Sequence, residues 1–256
     1  MVGHAQPAPG TVSDFYGEDQ AMIHHREFGD LAATAAGMVI ERLQAAGHLS
    51  GTVVDLGCGS GILARAMTGA GYAVLGVDIS HDMVDLARAE APEAEVVVGS
   101  VHDTVIPPAV AVTAIGEVLN YAADVRAGLG ALADLARRVR SALAPGGLFV
   151  FDVTTPGRYG PTNRRRVFHD REDWSLAMDA DERGSTLDRR IVVFRRTHDG
   201  LYRRTDERHV LRLYDPDDVG RVLVDAGFAV ERRAGYATTA TRSTPSQGWS
   251  VFVARA

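Results

Sequence analysis

The stretch VVDLGCGSGILARA, from Val53 to Ala66, decides the fold of this chain. A short apolar run leads into Asp55, alternate glycines follow at Gly57, Gly59 and Gly61, and a run typical of a helix begins directly after them. A turn of this kind needs positive φ angles and leaves bare backbone facing a ligand at the N-terminus of the helix. We therefore expect a strand, a glycine loop and a helix, with a ligand on the loop.

Composition limits the class of protein. The chain has 256 residues, 46% of them hydrophobic and 23% charged, which is typical of a globular protein with one sizeable domain and an embellishment. Its net charge of −6 argues against a nucleic-acid backbone as the main partner. A single cysteine, Cys58, favours a reducing compartment. No signal peptide or membrane-spanning run is visible, so we expect a cytoplasmic protein without a membrane partner.

Strand-like and helix-like runs alternate between residues 52 and 154. The strand-like runs are TVVDL, YAVLGVD, EVVVG, AVAVTAIG and LFVFDV. This alternation predicts an α/β fold of the Rossmann-like, doubly wound type, in which a mostly parallel sheet has helices on both faces. Because the runs are apolar on both sides, we expect the strands to lie in the buried middle of that sheet.

The flanking segments have different patterns. Residues 1–12 are expected to be disordered, and apolar residues at helical spacing predict a helical cover over 13–48. The charged segment 157–214 alternates like antiparallel strands, with a hairpin turn at residues 198–200, and it is predicted to be a small antiparallel β insert. Residues 49–156 and 215–256 would then form the Rossmann-like domain, with Asp215 and Pro216 starting its last helix.

A second acidic residue indicates what the loop binds. Asp78 ends the next predicted strand about 20 positions after Gly57, the spacing at which a carboxylate accepts hydrogen bonds from a ribose diol. A dinucleotide fingerprint would need glycine where Ile62 stands, and a P-loop would need lysine, which the chain lacks. The alternatives are a tight turn without a ligand and a helix cap at Asp78.

Three motifs in order resemble those of the class I S-adenosylmethionine-dependent methyltransferases of the small-molecule type. They are DLGCGSG, GVDIS and LAPGGLFVFDV, and the resemblance covers residues 52–153 and the C-terminal helix and hairpin. It implies a seven-strand sheet of order 3-2-1-4-5-7-6 with the last strand antiparallel. It also implies S-adenosyl-L-methionine as cofactor and S-adenosyl-L-homocysteine as product.

The resemblance further implies a set of cofactor-binding residues. The glycine loop would hold the methionine part, Asp78 the ribose, and the residues that follow would hold adenine, the amine or the sulfonium. Many family members have aspartate where Ser100 stands, which leaves adenine N6 to Ser100, Asp103 or the backbone. The implied residues are Asp55, Gly57, Gly59, Gly61, Asp78, Ile79, Met83, Ser100, Val101 and Gly116.

Methyl transfer from a sulfonium depends mainly on alignment, which is worth about 7–11 kcal/mol of barrier. A general base helps when the acceptor is a hydroxyl or an ammonium, and histidine suits that role at neutral pH. The candidate catalytic residues are therefore His25, Glu117 and His209. Each also has a structural alternative: a surface or buried histidine, or a glutamate that pins a neighbouring loop.

Candidate acceptor-binding residues come from the helical cover, the end of the fourth strand and the insert. For each of them a core position, a helix cap or a solvated face is the alternative. No metal site is predicted. The candidates are Tyr16, His24, Phe28, Asn120, Tyr121, Trp174, Arg204 and Tyr214.

We therefore expect methyl transfer to a small molecule, at oxygen, nitrogen or carbon, by in-line displacement. Bacterial secondary metabolism is one expected setting, and the protein would be a monomer or a homodimer. One alternative is methylation of RNA or protein, for which neither a basic face nor a recognition domain is visible. The other is a regulatory protein that binds the cofactor without turnover.

Overall fold

The computed structural model describes residues 15–237 and 248–256, so the predicted disordered segment 1–12 lies outside the described residues. In chain order the helices are α1 (Glu18–Glu27), α2 (Asp30–Ala45), α3 (Ile62–Gly69), α4 (His81–Glu90), α5 (Leu129–Ala142) and α6 (Pro216–Asp225). The strands are β1 (Thr52–Leu56), β2 (Ala73–Asp78), β3 (Glu95–Val98), β4 (Ala109–Ala114), β5 (Leu143–Thr154), β6 (Arg164–Asp170), β7 (Trp174–Arg183), β8 (Thr186–Arg196), β9 (Tyr202–Arg212), β10 (Ala229–Arg233) and β11 (Trp249–Arg255).

The main sheet has seven strands in the order β3-β2-β1-β4-β5-β11-β10. Strands β1 to β5 pair in parallel, while β11 runs antiparallel to both β5 and β10. Numbered within the sheet alone, this is the order 3-2-1-4-5-7-6 with the last strand antiparallel. The predicted fold class is confirmed.

Helices cover both faces of this sheet. On one face α5 and α6 bury Leu135 and Leu223 against the β5 residues Phe149 and Phe151. On the other face α2 and α3 pack against β1, with side chains such as Met38 fully enclosed. Burying one such side chain stabilises the fold by about 1.5–3 kcal/mol. Helix α2 therefore belongs to the core layer, whereas α1 packs against the insert.

Strand β3 departs from the sequence-based expectation. We expected every strand in the buried middle of the sheet, but β3 forms its edge and pairs only with β2. Glu95, Val97 and Val98 are exposed, and Val96 alone is buried, beneath α4. An apolar run identifies a strand but does not say whether a neighbour lies on its far side.

The insert is a four-stranded antiparallel sheet of order β6-β7-β8-β9. The predicted hairpin is confirmed, since Arg196 pairs with Tyr202 and the Thr197 N–H donates to the Leu201 carbonyl. A bridge between Tyr121 and Leu211 joins this sheet to the segment after β4. The insert is thereby attached beside the carboxyl end of the parallel strands.

Helix α1 lies on the insert sheet. Its Ile23 packs into a small core with Trp174, Leu176 and neighbouring side chains of β7 and β8. The buried Asp19 carboxylate of α1 receives hydrogen bonds from Arg195 and Arg203. Burial and ion pairing together fix α1 to the insert. Among the described helices, none is long and apolar enough to cross a membrane.

Candidate active site

The glycine loop between β1 and α3 shows why side chains are absent there. Gly57, Gly59 and Gly61 have φ angles of +67°, +52° and +83°. A Cβ on Gly61 would lie 2.8 Å from the Cα of Ala87 in α4, and a Cβ on Gly57 would lie 2.5 Å from a methyl group of Val118. A Cβ on Gly59 would meet nothing within 4 Å. Two glycines thus allow close packing, and the third leaves open space.

That open space belongs to a cavity above the carboxyl ends of β1, β2 and β4. We call the part next to the loop and β2 the cofactor end, and most of the predicted cofactor-binding residues line it. They are Gly57, Gly59, Asp78, Ile79, Met83, Ser100, Val101 and Gly116. We call the part formed by Phe15, Tyr16, His24, Phe28 and Tyr121 the acceptor end. One continuous cavity therefore joins the two.

Asp55, which precedes the loop, and Gly61, its last glycine, lie outside the described lining of the cavity. The Asp55 carboxylate is buried and accepts a hydrogen bond of 2.7 Å from the Thr113 hydroxyl. Burial raises the pKa of Asp55 to about 7. Its position supports the loop from below, since the carboxylate bonds to β4 at the base of the turn.

Asp78 at the end of β2 shapes the loop and faces the cavity. Its two oxygens accept hydrogen bonds of 2.9 Å from the backbone N–H groups of Gly59 and Ser80. Burial raises the pKa of this carboxyl, which the two backbone donors partly oppose. A carboxylate has about four lone-pair sites, so each oxygen can accept one further hydrogen bond. The cap of α4 is Ser80, whose hydroxyl accepts from the Met83 N–H.

Ser100 occupies the far side of the cofactor end. Its hydroxyl donates to Asp124 at 2.7 Å and accepts from the His102 N–H at 3.2 Å. Asp103, the alternative raised by the sequence, is exposed and bonded to Arg126 instead. The cavity lining also includes His102 and Asp124, which the sequence analysis missed. Asp124 lies in the segment after β4, where the sequence contains no motif that would have identified it.

Gly116 begins the segment after β4, with a φ of +93° and open space where a side chain would be. The N–H groups of Gly116 and Glu117 donate to the Asp152 carboxylate at 2.8 and 2.7 Å. Tyr236 and Trp249 donate to the same carboxylate. Asp152 was not predicted, although it stands inside the motif LFVFDV. It fixes the backbone that borders the cavity.

Tyr16 is the central residue of the acceptor end. Its hydroxyl lies 3.0 Å from that of Tyr121, and burial raises the pKa of both phenols. Its backbone N–H donates to Glu207 of the insert at 2.9 Å, and its carbonyl accepts from Ser80 at 2.8 Å. With a φ of +49°, this backbone is held in the left-handed region. Tyr16 thus connects the insert with the cofactor end.

His209, a predicted catalytic residue, lies behind this wall. It is 1% exposed, and its Nε2 is 2.7 Å from the Glu207 carboxylate. Its ring centroid lies 4.8 Å from that of Tyr16 and 5.7 Å from that of Tyr121. In the described structure His209 supports the tyrosines and does not line the cavity.

The two adjacent histidines of α1 face different surroundings. His25 is 3.0 Å from the Ser60 hydroxyl of the glycine loop and is not among the described lining residues. His24 does line the cavity, and its Nδ1 is buried with no hydrogen-bond partner in the described part of the chain. Burial, with smaller effects of His209 and His25, lowers the pKa of His24 to about 4. His24 therefore borders the acceptor end, as the sequence analysis expected, whereas His25 contacts the glycine loop.

Glu117 has the structural role that the sequence left as its alternative. It has a φ of +64°, and its carboxylate accepts a hydrogen bond of 2.7 Å from Arg189 of the insert. Arg158 lies 3.5 Å away on its other side. Glu117 is 8% exposed and stands outside the described lining, and its ion pair with Arg189 attaches the insert to the segment after β4.

Asn120 and Tyr214, both predicted to contact the acceptor, lie in the interior instead. The Asn120 side chain exchanges hydrogen bonds with the backbone of Thr154, and it is fully buried. The Tyr214 hydroxyl donates to the Leu119 carbonyl at 2.9 Å. Neither belongs to the lining of the cavity as the structure describes it. Both side chains satisfy buried backbone groups that no local pattern reveals.

Trp174 and Arg204 also lie away from the described cavity lining. Trp174 is 2% exposed in the small core between α1 and the insert. Arg204 projects from β9 and pairs with Asp206. Alternation along a strand identifies two faces but not which face meets the site. Within the described residues, no group of three or more His, Cys, Asp or Glu side chains could hold a metal ion.

Comparison with protein families decides the identity of this arrangement. Residues 23–232 match the model of the methyltransferase domain. The chain belongs to the methyltransferase domain family. The matched range includes the glycine loop, Asp78 and the whole insert.

Similar proteins agree with this family. A Geobacillus sp. (strain WCH70) protein assigned as a methyltransferase is 26% identical over 191 residues, which are 70% of this chain and 74% of that protein. The crystal structure of an S-adenosylmethionine-dependent methyltransferase from Clostridium acetobutylicum has a TM-score of 0.78 at 16% identity, covering 94% of this chain and 98% of that one. An amino pentose methyltransferase from Micromonospora echinaspora, solved with S-adenosylmethionine, has a TM-score of 0.72 at 19% identity, covering 98% and 99%.

The prediction of a class I S-adenosylmethionine-dependent methyltransferase is confirmed, and S-adenosylmethionine is its cofactor. The cavity of this methyltransferase fits that group. Gly59 leaves open space where a side chain would intrude, and Asp78 has free lone pairs for hydroxyl donors. Ile79 and Met83 supply apolar walls for a flat ring.

Proposed function

We propose that this methyltransferase transfers a methyl group to a small molecule bound at the acceptor end of the cavity. The observation that carries the proposal is the single cavity that runs from the glycine loop and Asp78 to the rings of Tyr16, His24 and Tyr121. When bound, the cofactor supplies a methyl group that is already activated on a sulfonium. The protein then has to bind the acceptor, orient it toward that methyl group and exclude water.

The residues of the cofactor end divide the binding between them in this proposal. Asp78 accepts the ribose hydroxyls, Ile79 and Met83 pack against adenine, and Ser100 with Val101 borders the adenine edge. Gly57, Gly59 and Gly116 leave room for the methionine portion beside their backbone. Asp55 supports the loop from behind, and Gly61 lets α4 pack against it.

Transfer proceeds in line, with the acceptor held opposite the leaving sulfur. Orientation of this kind is worth about 7–11 kcal/mol of barrier. The acceptor end can orient a nucleophile because it is fixed from two sides. Glu207 holds the Tyr16 backbone from the insert, and Ser80 holds it from the cofactor end.

The cover over the cavity favours a compact acceptor. Helix α1 and the insert stand over the acceptor end and are joined by the buried Asp19 ion pairs. A folded protein or an RNA helix would have to displace this cover, and the net charge of −6 would oppose RNA. The amino pentose methyltransferase of similar fold acts on such a compact acceptor.

Turnover tests this proposal directly. The full chain is incubated with S-adenosylmethionine and, in parallel, with a small-molecule library, total RNA or a protein extract. Formation of S-adenosylhomocysteine is then measured. We expect formation with small molecules only, and Tyr121→Ala should reduce it. Formation with RNA or protein alone would contradict the proposal, and cofactor binding without any turnover would favour a regulatory protein.

A further inference from the structure

Five aromatic side chains define the acceptor end. The ring centroids of Phe15 and Tyr121 lie 5.1 Å apart, those of Tyr16 and His24 5.3 Å apart, and those of His24 and Phe28 5.8 Å apart. Such rings present negative faces and positive edges, and the faces attract a cation. The paired hydroxyls of Tyr16 and Tyr121 add polar atoms at one side.

Arginine side chains are missing from the described lining of this cavity, although the chain has 27 arginines. Arg189, whose charge acts on Tyr16 and Tyr121, is already paired with Glu117, and Arg195 and Arg203 of the insert are paired with Asp19. An acceptor with a carboxylate or a phosphate would therefore find no counter-charge here. Burial of an unpaired anion costs too much to be tolerated.

His24 supplies a hydrogen-bond acceptor without being a strong base. Its Nδ1 is buried and has no partner among the described residues. Since its pKa is lowered to about 4, the ring is neutral at neutral pH. An effective general base has a pKa near the working pH, so His24 is poorly suited to take the proton of a hydroxyl. Tyr16 and Tyr121, whose pKa values are raised, remain protonated phenols.

We propose that the acceptor is an amine, that it reacts as the free base, and that one of its N–H groups donates to His24. This inference rests on the proposed function and names its substrate class. The nitrogen lone pair forms the new N–C bond while the C–S bond breaks, and sulfur keeps the bonding electrons. The product is an ammonium ion, which then loses a proton to water.

An amine needs no base in the transfer step, whereas a hydroxyl must lose its proton as the bond forms. The positive charge stays among the same rings throughout, since it moves from sulfur to nitrogen. The rings of Phe15, Tyr16, Phe28 and Tyr121 line the cavity in which this charge moves and can stabilise it. The proposed His24 contact also satisfies the buried Nδ1, which is otherwise unpaired.

The affinity for sinefungin tests the inference even while the acceptor is unidentified. This analogue of S-adenosylmethionine has a protonated amine where the cofactor has its transferable methyl group, so its nitrogen points toward the acceptor end. Calorimetry compares its Kd with that of S-adenosylhomocysteine, which has neither group. We expect sinefungin to bind at least ~10-fold more tightly, because it adds a charge-assisted hydrogen bond and ring contacts.

Three variants distinguish loss of the His24 hydrogen bond from a general loss of structure. His24→Phe keeps an aromatic ring but removes the acceptor atom, and it should weaken sinefungin ~10-fold while S-adenosylhomocysteine changes less than ~2-fold. His24→Asn restores an oxygen near the position of Nδ1 and should recover much of the loss. His81→Phe, at an exposed position on α4, is the matched control and should change neither ligand.

Turnover of three matched acceptors gives the second readout. With 2-phenylethylamine, 2-phenylethanol and phenylacetate we expect methylation of the amine only, with kcat/KM rising with pH toward the pKa of the amine. Methylation of the alcohol or the acid in preference to the amine would overturn the inference but not the proposed function. If none reacts, the sinefungin comparison decides.

Equal binding of sinefungin and S-adenosylhomocysteine would overturn the inference alone. So would His24→Phe weakening both ligands by the same factor. Absence of binding by both ligands would instead contradict the proposed function, and the inference with it.

Discussion

Replacement of Gly61 by alanine should destabilise the protein more than any other single methyl group added to the loop. Its φ of +83° costs a non-glycine residue about 1–2 kcal/mol. The new Cβ would also lie 2.8 Å from the Cα of Ala87, a backbone atom of α4 that cannot rotate away. Overpacking of this kind costs about 1–3 kcal/mol. A total near 3 kcal/mol should lower Tm by about 6–12 °C in a domain of this size.

Gly59→Ala is the matched variant, because it has the same backbone strain without the collision. Its φ is +52°, and the added methyl would meet nothing within 4 Å. We expect it to lower Tm by about 2–8 °C and to weaken the binding of S-adenosylhomocysteine, since the methyl fills space beside the cavity. Thermal unfolding by circular dichroism and calorimetric titration measure the two effects. Equal Tm losses in both variants, or unchanged binding by Gly59→Ala, would refute the reasoning.

Three further predictions concern the hydrogen-bonded side chains of Asp55, Glu207 and His25. The pKa of Asp55 is about 7 in the folded state and near 4 in the unfolded state, so this residue lowers the free energy of unfolding as pH rises from about 4 to 7. The decline is up to about 4 kcal/mol in urea unfolding, and Asp55→Asn should remove it. An unchanged decline would contradict this. Glu207→Gln places an amide N–H group against the backbone N–H groups of Tyr16 and Gly17, which donate to the carboxylate in the wild type. The amides of residues 16–27 should then exchange about 10-fold faster in hydrogen-exchange mass spectrometry. Unaltered exchange would contradict this prediction. His25→Ala removes the contact with Ser60 and should weaken S-adenosylhomocysteine about 3–10-fold in calorimetry, whereas lost turnover at unaltered affinity would restore His25 as a base.

The cofactor end could be predicted from sequence because its determinants are local. The positive φ angles of the glycine loop and the acidic residue at the end of β2 follow from a few consecutive residues each. Their relation to one another follows from the parallel sheet, which brings the carboxyl ends of β1 and β2 to one edge. Asp78 therefore lies beside Gly59 as the spacing predicts.

The acceptor end could be predicted only in part, because its determinants are distant in sequence. His24 and His25 are adjacent on α1 and differ by about 100° around the helix axis, so composition alone could not choose between them. Asn120 and Tyr214 bond to backbone groups that lie far away along the chain. Tyr16 is fixed by Glu207, a partner 191 positions away. Only the three-dimensional arrangement assigns such residues.

Calorimetric titration of S-adenosylhomocysteine into the wild type and Asp78→Ala tests the central claim most directly. The exposed Asp85→Ala on α4 is the control. We predict micromolar binding by the wild type and the control, and a Kd at least about 50-fold higher for Asp78→Ala, since charge-assisted hydrogen bonds are worth about 1.5–3 kcal/mol each. An Asp78→Ala affinity equal to that of the wild type would contradict the placement of the cofactor in this cavity.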